Sequence, residues 1–308
     1  MRHLQTFRLI EAVSKAGSIR RAAEDMNLTA SAVNRRIRNF EDEFGSEIFE
    51  RLPRGMRLNP AGELLMHHIR QQRMDLARLQ SQVADLSGER RGHVTIGCSQ
   101  ALLPYFIPEE ISRYRREHPG VTFSVVVRDR EQAEQDLARF QTDLALVFEP
   151  VHMVEFEVLH IIPQPVCAVF AADHPLAAKK VLRLRDCLAY PCILPSSRYG
   201  VRHLLEMAAR RSNMMLSPRV ETESFELIRH YVLKEACIGF QIPIGLKSGP
   251  GEPMRYRALS DRFMDGGNLF LGQMKGRSLP VASARFALQL VESLNRYALK
   301  ELGITAVT

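Results

Sequence analysis

Near the start of the chain, apolar positions recur at helical spacing and then break off at a tight turn. Ile19, Ala22, Ala23 and Met26 form one stripe. Ser18 before it can cap a helix start, and Asn27 after it tolerates the left-handed backbone that often ends one. Only Asn27-Leu28-Thr29 separates this stripe from a second one, Val33, Ile37, Phe40 and Phe44, with Thr29 as its cap. The spacing predicts two short helices, with those four side chains on the inner face of the second. Its outer face then carries Ala30, Ser31, Asn34, Arg35 and Arg38. Such a pair is a helix-turn-helix, and Asn and Arg bear the forked donors that match base edges in a major groove. A surface hairpin with a solvated face has the same pattern, so this segment alone leaves both readings open.

The next residues favour DNA. The stretch ERLPRGMRLNPAG sets Arg51, Arg54 and Arg57 around a Pro-Arg-Gly turn, between apolar anchors at Leu52 and Leu58. It reads as a β-hairpin wing that brings basic side chains to phosphates. Asn59-Pro60 opens another helix, with a cap and a proline in its first turn. From there Leu65, Ile69, Gln72, Leu76, Leu79, Val83 and Leu86 alternate spacings of four and three, a heptad seam with one polar position. Its expected partner is a second copy, because two half-sites need two recognition helices in fixed relation. Ser87 to Gly92 has no periodicity and reads as a hinge.

From His93 onward, strands and helices alternate. HVTIGC, VTFSVVV and TDLALVF form one set of strands, and PVCAVFAA, PCILP, RVETES and IGFQIP form another. NLFLGQM and a helix from Val281 to Leu302 close the chain. The rhythm predicts two α/β lobes with mostly parallel sheets and helices on both faces. Ligands in open α/β sheets lie beyond the carboxyl ends of strands. Those ends are Ser99 and Gln100, Arg128, Phe148, Ser196 and Ser197, Glu223, and Gln241. The serines can offer hydroxyls beside helix N–H groups, with Arg128, Arg198 and Arg202 adding charge for an anion. Each serine can equally be a plain helix cap.

The motifs also resemble a known family, the LysR-type bacterial transcriptional regulators. Over residues 4–67 the resemblance rests on Ala22-Ala23, Val33, Ile37, Glu41, Gly45, Phe49-Glu50-Arg51 and Leu58 through Gly62. The sequence departs at Ala30, Ser31 and Asn34, where the family often shows Gln, Pro and Ser. TDLALVF, ADHPLA and PSSRYGVRHLLE (which contains Tyr199) look like effector-domain landmarks. The resemblance implies a winged helix-turn-helix at 1–58, a linker and dimerisation helix with hinge at 59–92, and an effector-binding domain at 93–308. That last part would resemble a two-lobed, type II periplasmic binding protein, with lobe I at about 93–166 and 267–308 and lobe II at about 167–266. A ligand between the lobes, Tyr199 among its contacts, would shift lobe closure and so DNA bending. Glu235 and Cys237 stand where the family often has glycines. The expected partners are operator or promoter double-stranded DNA, a small effector, a second copy in a homodimer or homotetramer, and RNA polymerase.

Composition narrows the remaining classes. The chain has 308 residues, 45% of them hydrophobic, enough for cores in more than one domain. Its net charge of +7 suits a polyanionic partner. Five cysteines without a CxxC pair fit a reducing cytoplasm, and no signal-peptide core or bilayer-length apolar run points to a membrane. No phosphate loop, HExxH or GxSxG is present, so no catalytic residue, cofactor or metal ligand is expected. Two alternatives stand behind the regulator: a thiol-based redox sensor using Cys187 and Cys192, and an α/β enzyme that binds a small molecule.

Overall fold

The computed structural model describes residues 2–52, 55–86, 91–247, 249, 251–262, 264 and 266–301. They form two compact units, Met1–Ala77 and Arg78–Thr308, which divide inside one long helix.

The first unit contains α1 (Arg2–Ala16), α2 (Ile19–Asp25), α3 (Ala30–Phe44), β1 (Phe49–Leu52), β2 (Gly55–Leu58) and the start of α4 (Pro60–Leu86). Asn27 adopts the left-handed conformation at φ 54°, and Thr29 caps α3 by accepting from the Ala32 amide at 3.2 Å. Ser18 holds the cap position of α2, but its hydroxyl makes no capping bond. Leu9, Ile10 and Val13 bury against Ala22, Ala23, Val33 and Ile37, and Leu65, Met66 and Ile69 of α4 close the same core. Glu41 Oε1 accepts from the Ile48 and Phe49 amides, which fixes the path from α3 into the wing. At Gly62 a Cβ would stand 2.0 Å from the Ile48 carbonyl, so only glycine lets α4 start this close to β1.

Three expectations for this unit are corrected. Phe44 is 48% exposed and stacks on Phe40, because the chain turns away at left-handed Gly45 and, among the described residues, none buries the last turn of α3. Leu52 is exposed at the wing rather than anchoring it. The heptad seam is not one continuous free face. Leu65 and Ile69 are in the unit's own core, while Leu76, Leu79 and Val83 are exposed; the Leu86 side chain lies outside the described residues. Arg54 and the hinge residues Ser87 to Arg90 also lie outside them.

The second unit continues with β3 (Gly92–Cys98), α5 (Phe106–Glu117), β4 (Val121–Val127), α6 (Arg130–Ala138), β5 (Leu144–Phe148) and β6 (Phe156–Gln164). There follow β7 (Cys167–Ala171), α7 (Leu184–Cys187), β8 (Ile193–Pro195), α8 (Gly200–Arg211), β9 (Val220–Thr222), α9 (Phe225–Lys234), β10 (Gly239–Gln241) and β11 (Met254–Ala258). The last two elements are β12 (Gly267–Met274) and α10 (Val281–Glu301). Lobe I is built on a sheet of order β4-β3-β5-β12-β6, and lobe II on β10-β7-β11 with the β8-β9 pair joined to β10 by a Cys192–Ile238 bridge.

The sheets are mixed rather than mostly parallel. β4, β3 and β5 are parallel, as are β8 and β9, but β12 runs against β5 and β6, and β7 against β10 and β11. The reason is the return path. The chain leaves lobe I at the end of β6 and comes back through β12 from that same end, so β12 must run the other way. The strands β6 and β11 were not expected from the sequence. Both are edge strands, so neither carries the continuous apolar run of a central strand. Among the described residues, no helix is long and apolar enough to cross a membrane.

A buried ionic network secures the return. Asp143 accepts from Arg277 Nη2, from Ser283 Oγ at 3.0 Å and from the Thr95 amide at 2.9 Å, and Arg277 Nη1 donates to the Thr142 carbonyl. The paired side chains are 4% and 9% exposed. Removing the carboxylate leaves a buried guanidinium without its counter-charge. Asp143→Ala should therefore destabilise the second unit by about 3–5 kcal/mol. Urea unfolding followed by a probe in lobe I checks this, and a loss below about 1 kcal/mol, the scale of an exposed pair, would show that the network does not tie the terminus down.

Candidate nucleic-acid interface and ligand cleft

In the first unit, α3 turns Ala30, Ser31, Arg35 and Arg38 outward, with Asn34 half-buried between them. Thr29 is exposed but committed to the cap, with its hydroxyl 3.2 Å from that of Ser31. The wing lies beside this face: Arg51 Nη2 donates to Asn34 Oδ1 at 3.4 Å, which leaves the Asn34 amide N–H groups for an outside acceptor. Ser31, Asn34, Arg35 and Arg51 thus form one polar surface of donors and small side chains. Arg57 is held differently. Its Nε donates to Glu50 across the wing at 2.7 Å, so part of its charge is already answered, a pairing the sequence reading missed. Arg57 faces Glu50 because the hairpin register sets the two directly opposite.

In the second unit, the carboxyl ends of β3, β4 and β5 meet the starts of α8 and α9. Ser99, Arg128, Arg130 and Tyr199 supply the polar lining; Val147, Phe148, Val201, Phe225 and Ile242 supply much of the rest. The cavity between them is only about 20 Å³, room for about one water. Arg128 Nε donates to Asp136 at 2.6 Å, and Arg130 Nη1 donates to the Glu149 carbonyl at 3.2 Å. Ser99 caps the short turn Gln100–Leu102. Tyr199 donates to the Glu223 carbonyl at 3.1 Å, and burial, with Glu223 and Asp129 nearby, raises its pKa.

Several expected contacts are elsewhere. Helix α8 starts at Gly200, with Tyr199 at its cap, so the preceding turn swings Tyr199 inward and the serines away. Ser196 Oγ is buried without a hydrogen-bond partner and is not among the lining residues. Ser197 and Arg198 instead border an outer groove of about 470 Å³ with Asp129 and Gln132. Glu223 joins the cleft through its carbonyl, while its carboxylate is exposed 3.7 Å from Arg198. Arg202 is held by Glu206 and Glu221. Gln241 is fully buried and donates to the Gly245 carbonyl, so it braces its own loop. The sequence reading missed Arg130. The signal was available, since Arg130 follows the Asp129 cap at the end of β4.

The thiols do not favour redox chemistry. All five cysteines are buried. Burial pushes Cys98 and Cys192 up to about 12 and Cys237 up to about 11, and raises Cys187 as well. A reactive thiolate at neutral pH needs the opposite shift.

Comparison with known proteins agrees across both units. The family model described as "Bacterial regulatory helix-turn-helix protein, lysR family" matches residues 4–63, and that described as "LysR substrate binding domain" matches residues 87–295. The HTH-type transcriptional activator CmpR of Synechocystis sp. is 25% identical over 229 residues, covering 74% of this chain and 75% of CmpR. A RuBisCO operon transcriptional regulator of Allochromatium vinosum is 30% identical over 203 residues, covering 66% and 67%. In fold, the chain is similar to full-length OxyR from Pseudomonas aeruginosa, with a TM-score of 0.67, 19% identity and coverage of 95% and 94%.

The α3 face and the wing can be told apart by mutation. Arg35→Ala should weaken specific binding by about 1–3 kcal/mol and relax preference at one base position. Arg57→Ala on the wing should weaken all sequences alike and flatten the salt dependence. Fluorescence anisotropy on specific and scrambled duplexes distinguishes them; unchanged sequence preference in Arg35→Ala would remove that side chain from base reading.

Proposed function

Because the chain belongs to the LysR family, as a DNA-binding transcriptional regulator with an effector-binding domain, we propose how its own residues divide that work. Helix α3 enters a major groove with Ser31, Asn34 and Arg35 toward base edges and Arg38 toward the backbone, while Arg51 and Arg57 on the wing meet phosphates. Two copies join along α4 through Leu76, Leu79 and Val83, an exposed apolar stripe at spacings of three and four. Pairs of dimers form through the effector-binding units, and RNA polymerase is the further partner this arrangement serves. The chain acts by binding and carries no catalytic step.

The effector is a small acid held in the cleft between the lobes. The observation that carries this reading is the pair Arg128 and Arg130 at the strand ends, facing the starts of α8 and α9 across an otherwise mostly apolar lining. Arg128 is partly answered by Asp136, so Arg130 is the stronger anchor for an anion. Since the cavity holds about one water, binding requires the lobes to part and close again, and the ligand's differential affinity for the two arrangements sets the signal.

A thermal-shift screen of small carboxylates and phosphates should return ligands that raise the second unit's unfolding temperature. Their affinity should fall about tenfold or more in Arg130→Gln, as expected for a lost charge-assisted hydrogen bond. A ligand whose affinity is equal in wild type, Arg130→Gln and Ser99→Ala would place the effector outside this cleft.

Assembly has its own test. Replacing Leu76 and Leu79 together with Asp would set charges in the joined stripe and should dissociate the dimer while the first unit stays folded. Sedimentation velocity reads the outcome; an intact dimer would move the contact away from α4.

A further inference from the structure

One side chain crosses the cleft with all its hydrogen-bonding groups engaged. Gln100 starts the short turn after β3 in lobe I. Its Nε2 donates to the Glu223 carbonyl at 2.8 Å and to the Tyr199 hydroxyl at 3.2 Å, and its Oε1 accepts from the Phe225 amide at 3.2 Å. All three partners belong to lobe II. The set also fixes which way the carboxamide faces, since only one orientation gives the Glu223 carbonyl a donor and the Phe225 amide an acceptor. Tyr199 already donates to that same carbonyl, so its hydroxyl meets Gln100 as an acceptor.

A second contact lies farther along α9, the helix that Phe225 begins. Arg229 donates to the Tyr105 hydroxyl at 2.6 Å, and the Lys247 ammonium stands 4.4 Å from the centre of the Tyr105 ring. The stretch from Gln100 to Tyr105 therefore docks along α9 at two points. The Tyr105 contact is made at the rim, with Lys247 exposed. The Gln100 contact is made beside Tyr199 and Phe225, two residues that line the cavity.

Resting on the reading of the cleft as the effector site, we propose that Gln100 is a built-in competitor for the effector's polar end and so the residue that selects effectors. Its carboxamide holds the lobes together at the place a ligand must take. An effector enters by replacing these hydrogen bonds, and the partners define what can do so. The Phe225 amide needs an acceptor, and the Glu223 carbonyl, which also accepts from Tyr199, takes a second donor, the two being placed so that one carboxamide serves both. A carboxamide or a hydroxylated acid meets both needs. A plain carboxylate meets only the first and sets its charge against the carbonyl oxygen, which keeps Tyr199 as its donor but repels a second acceptor. Selection is thus for a paired donor and acceptor, with the Arg130 donors not engaged by the Glu149 carbonyl taking a separate acidic group.

The test uses the full-length chain and the simple probes propionamide and propionate, read by hydrogen exchange of the peptide covering residues 223–228. Gln100→Ala should speed exchange at this peptide by about tenfold or more, as loss of several interlobe bonds requires. Propionamide at high millimolar concentration should restore at least about half of the protection, propionate should not, and wild type should respond to neither. Gln100→Met retains the bulk and lacks the hydrogen bonds, so it carries the same test if Gln100→Ala fails to fold. Protection equal to wild type in both variants would overturn the proposal, as would restoration by propionate as effective as by propionamide, or no restoration by propionamide. Arg130→Gln keeps the two claims apart. A screened ligand indifferent to both Arg130→Gln and Ser99→Ala removes the cleft as the effector site, whereas a ligand sensitive to Arg130→Gln, with exchange unchanged in Gln100→Ala, removes only the competitor.

Discussion

Strand β12 enters lobe I at Gly267 against the Phe148 ring, so close that a Cβ there would stand 2.1 Å from its Cζ. From that contact it runs between β5 and β6, with Leu269 opposite both Phe148 and Ile162. Without it, β5 and β6 would have no common neighbour, and the five-stranded sheet would end at β5. The same contact helps hold Phe148 in the cleft lining, and Glu149, next in the chain, accepts from the Asn268 amide at 2.7 Å. Lobe I is therefore completed by chain that has already passed through lobe II, and the lobes are joined by two crossings. At the first, Gln164 accepts from the Ile244 amide and Val166 accepts from the Leu259 amide, so the crossing is braced from the lobe II side. Motion between the lobes would pivot there, which leaves the contact at the rim, Tyr105 with Arg229, free to make or break.

The first unit solves a different problem, which is to hold a small exposed reading face still. Its short wing has little core of its own. Glu41 holds the two amides leading into β1, the Gly17 carbonyl accepts from Met56 at the start of β2, and Asn59 both caps α4 and donates to the Glu47 carbonyl. These backbone bonds position Arg51 against Asn34 more firmly than an isolated hairpin could, since two strands alone are marginally stable in water. The exposed Leu76, Leu79 and Val83 then become costly in a lone copy, which is the physical reason to look for a second one.

The sequence was most legible where local chemistry decides structure. Asn27, Thr29 and the stripe from Val33 to Phe40 announce their turn and helices because a left-handed residue, a cap and a period of 3.6 each act within a few residues. Long-range packing was not legible. Nothing in the heptad pattern says that Leu65 and Ile69 bury within their own unit while Leu76 stays exposed, since both outcomes use the same spacing. Phe44 fits its stripe and still lacks a cover. In the cleft, strand ends could be counted from the sequence, but the start of α8 could not. Its placement at Gly200 rather than at the serines decided which side chains face inward. The hydrogen bonds of Gln100 depend on the distance between two lobes, which no local pattern encodes.

Regulation of this kind requires the chain to read a defined DNA sequence as a pair of heads under control of the cleft. DNase I footprinting of the full-length protein on DNA upstream of its own gene tests that directly, with and without a ligand shown to stabilise the second unit. Two protected half-sites separated by whole helical turns are expected, with hypersensitive cleavage between them that changes when ligand is added. Uniform protection that follows no sequence and ignores the ligand would contradict it.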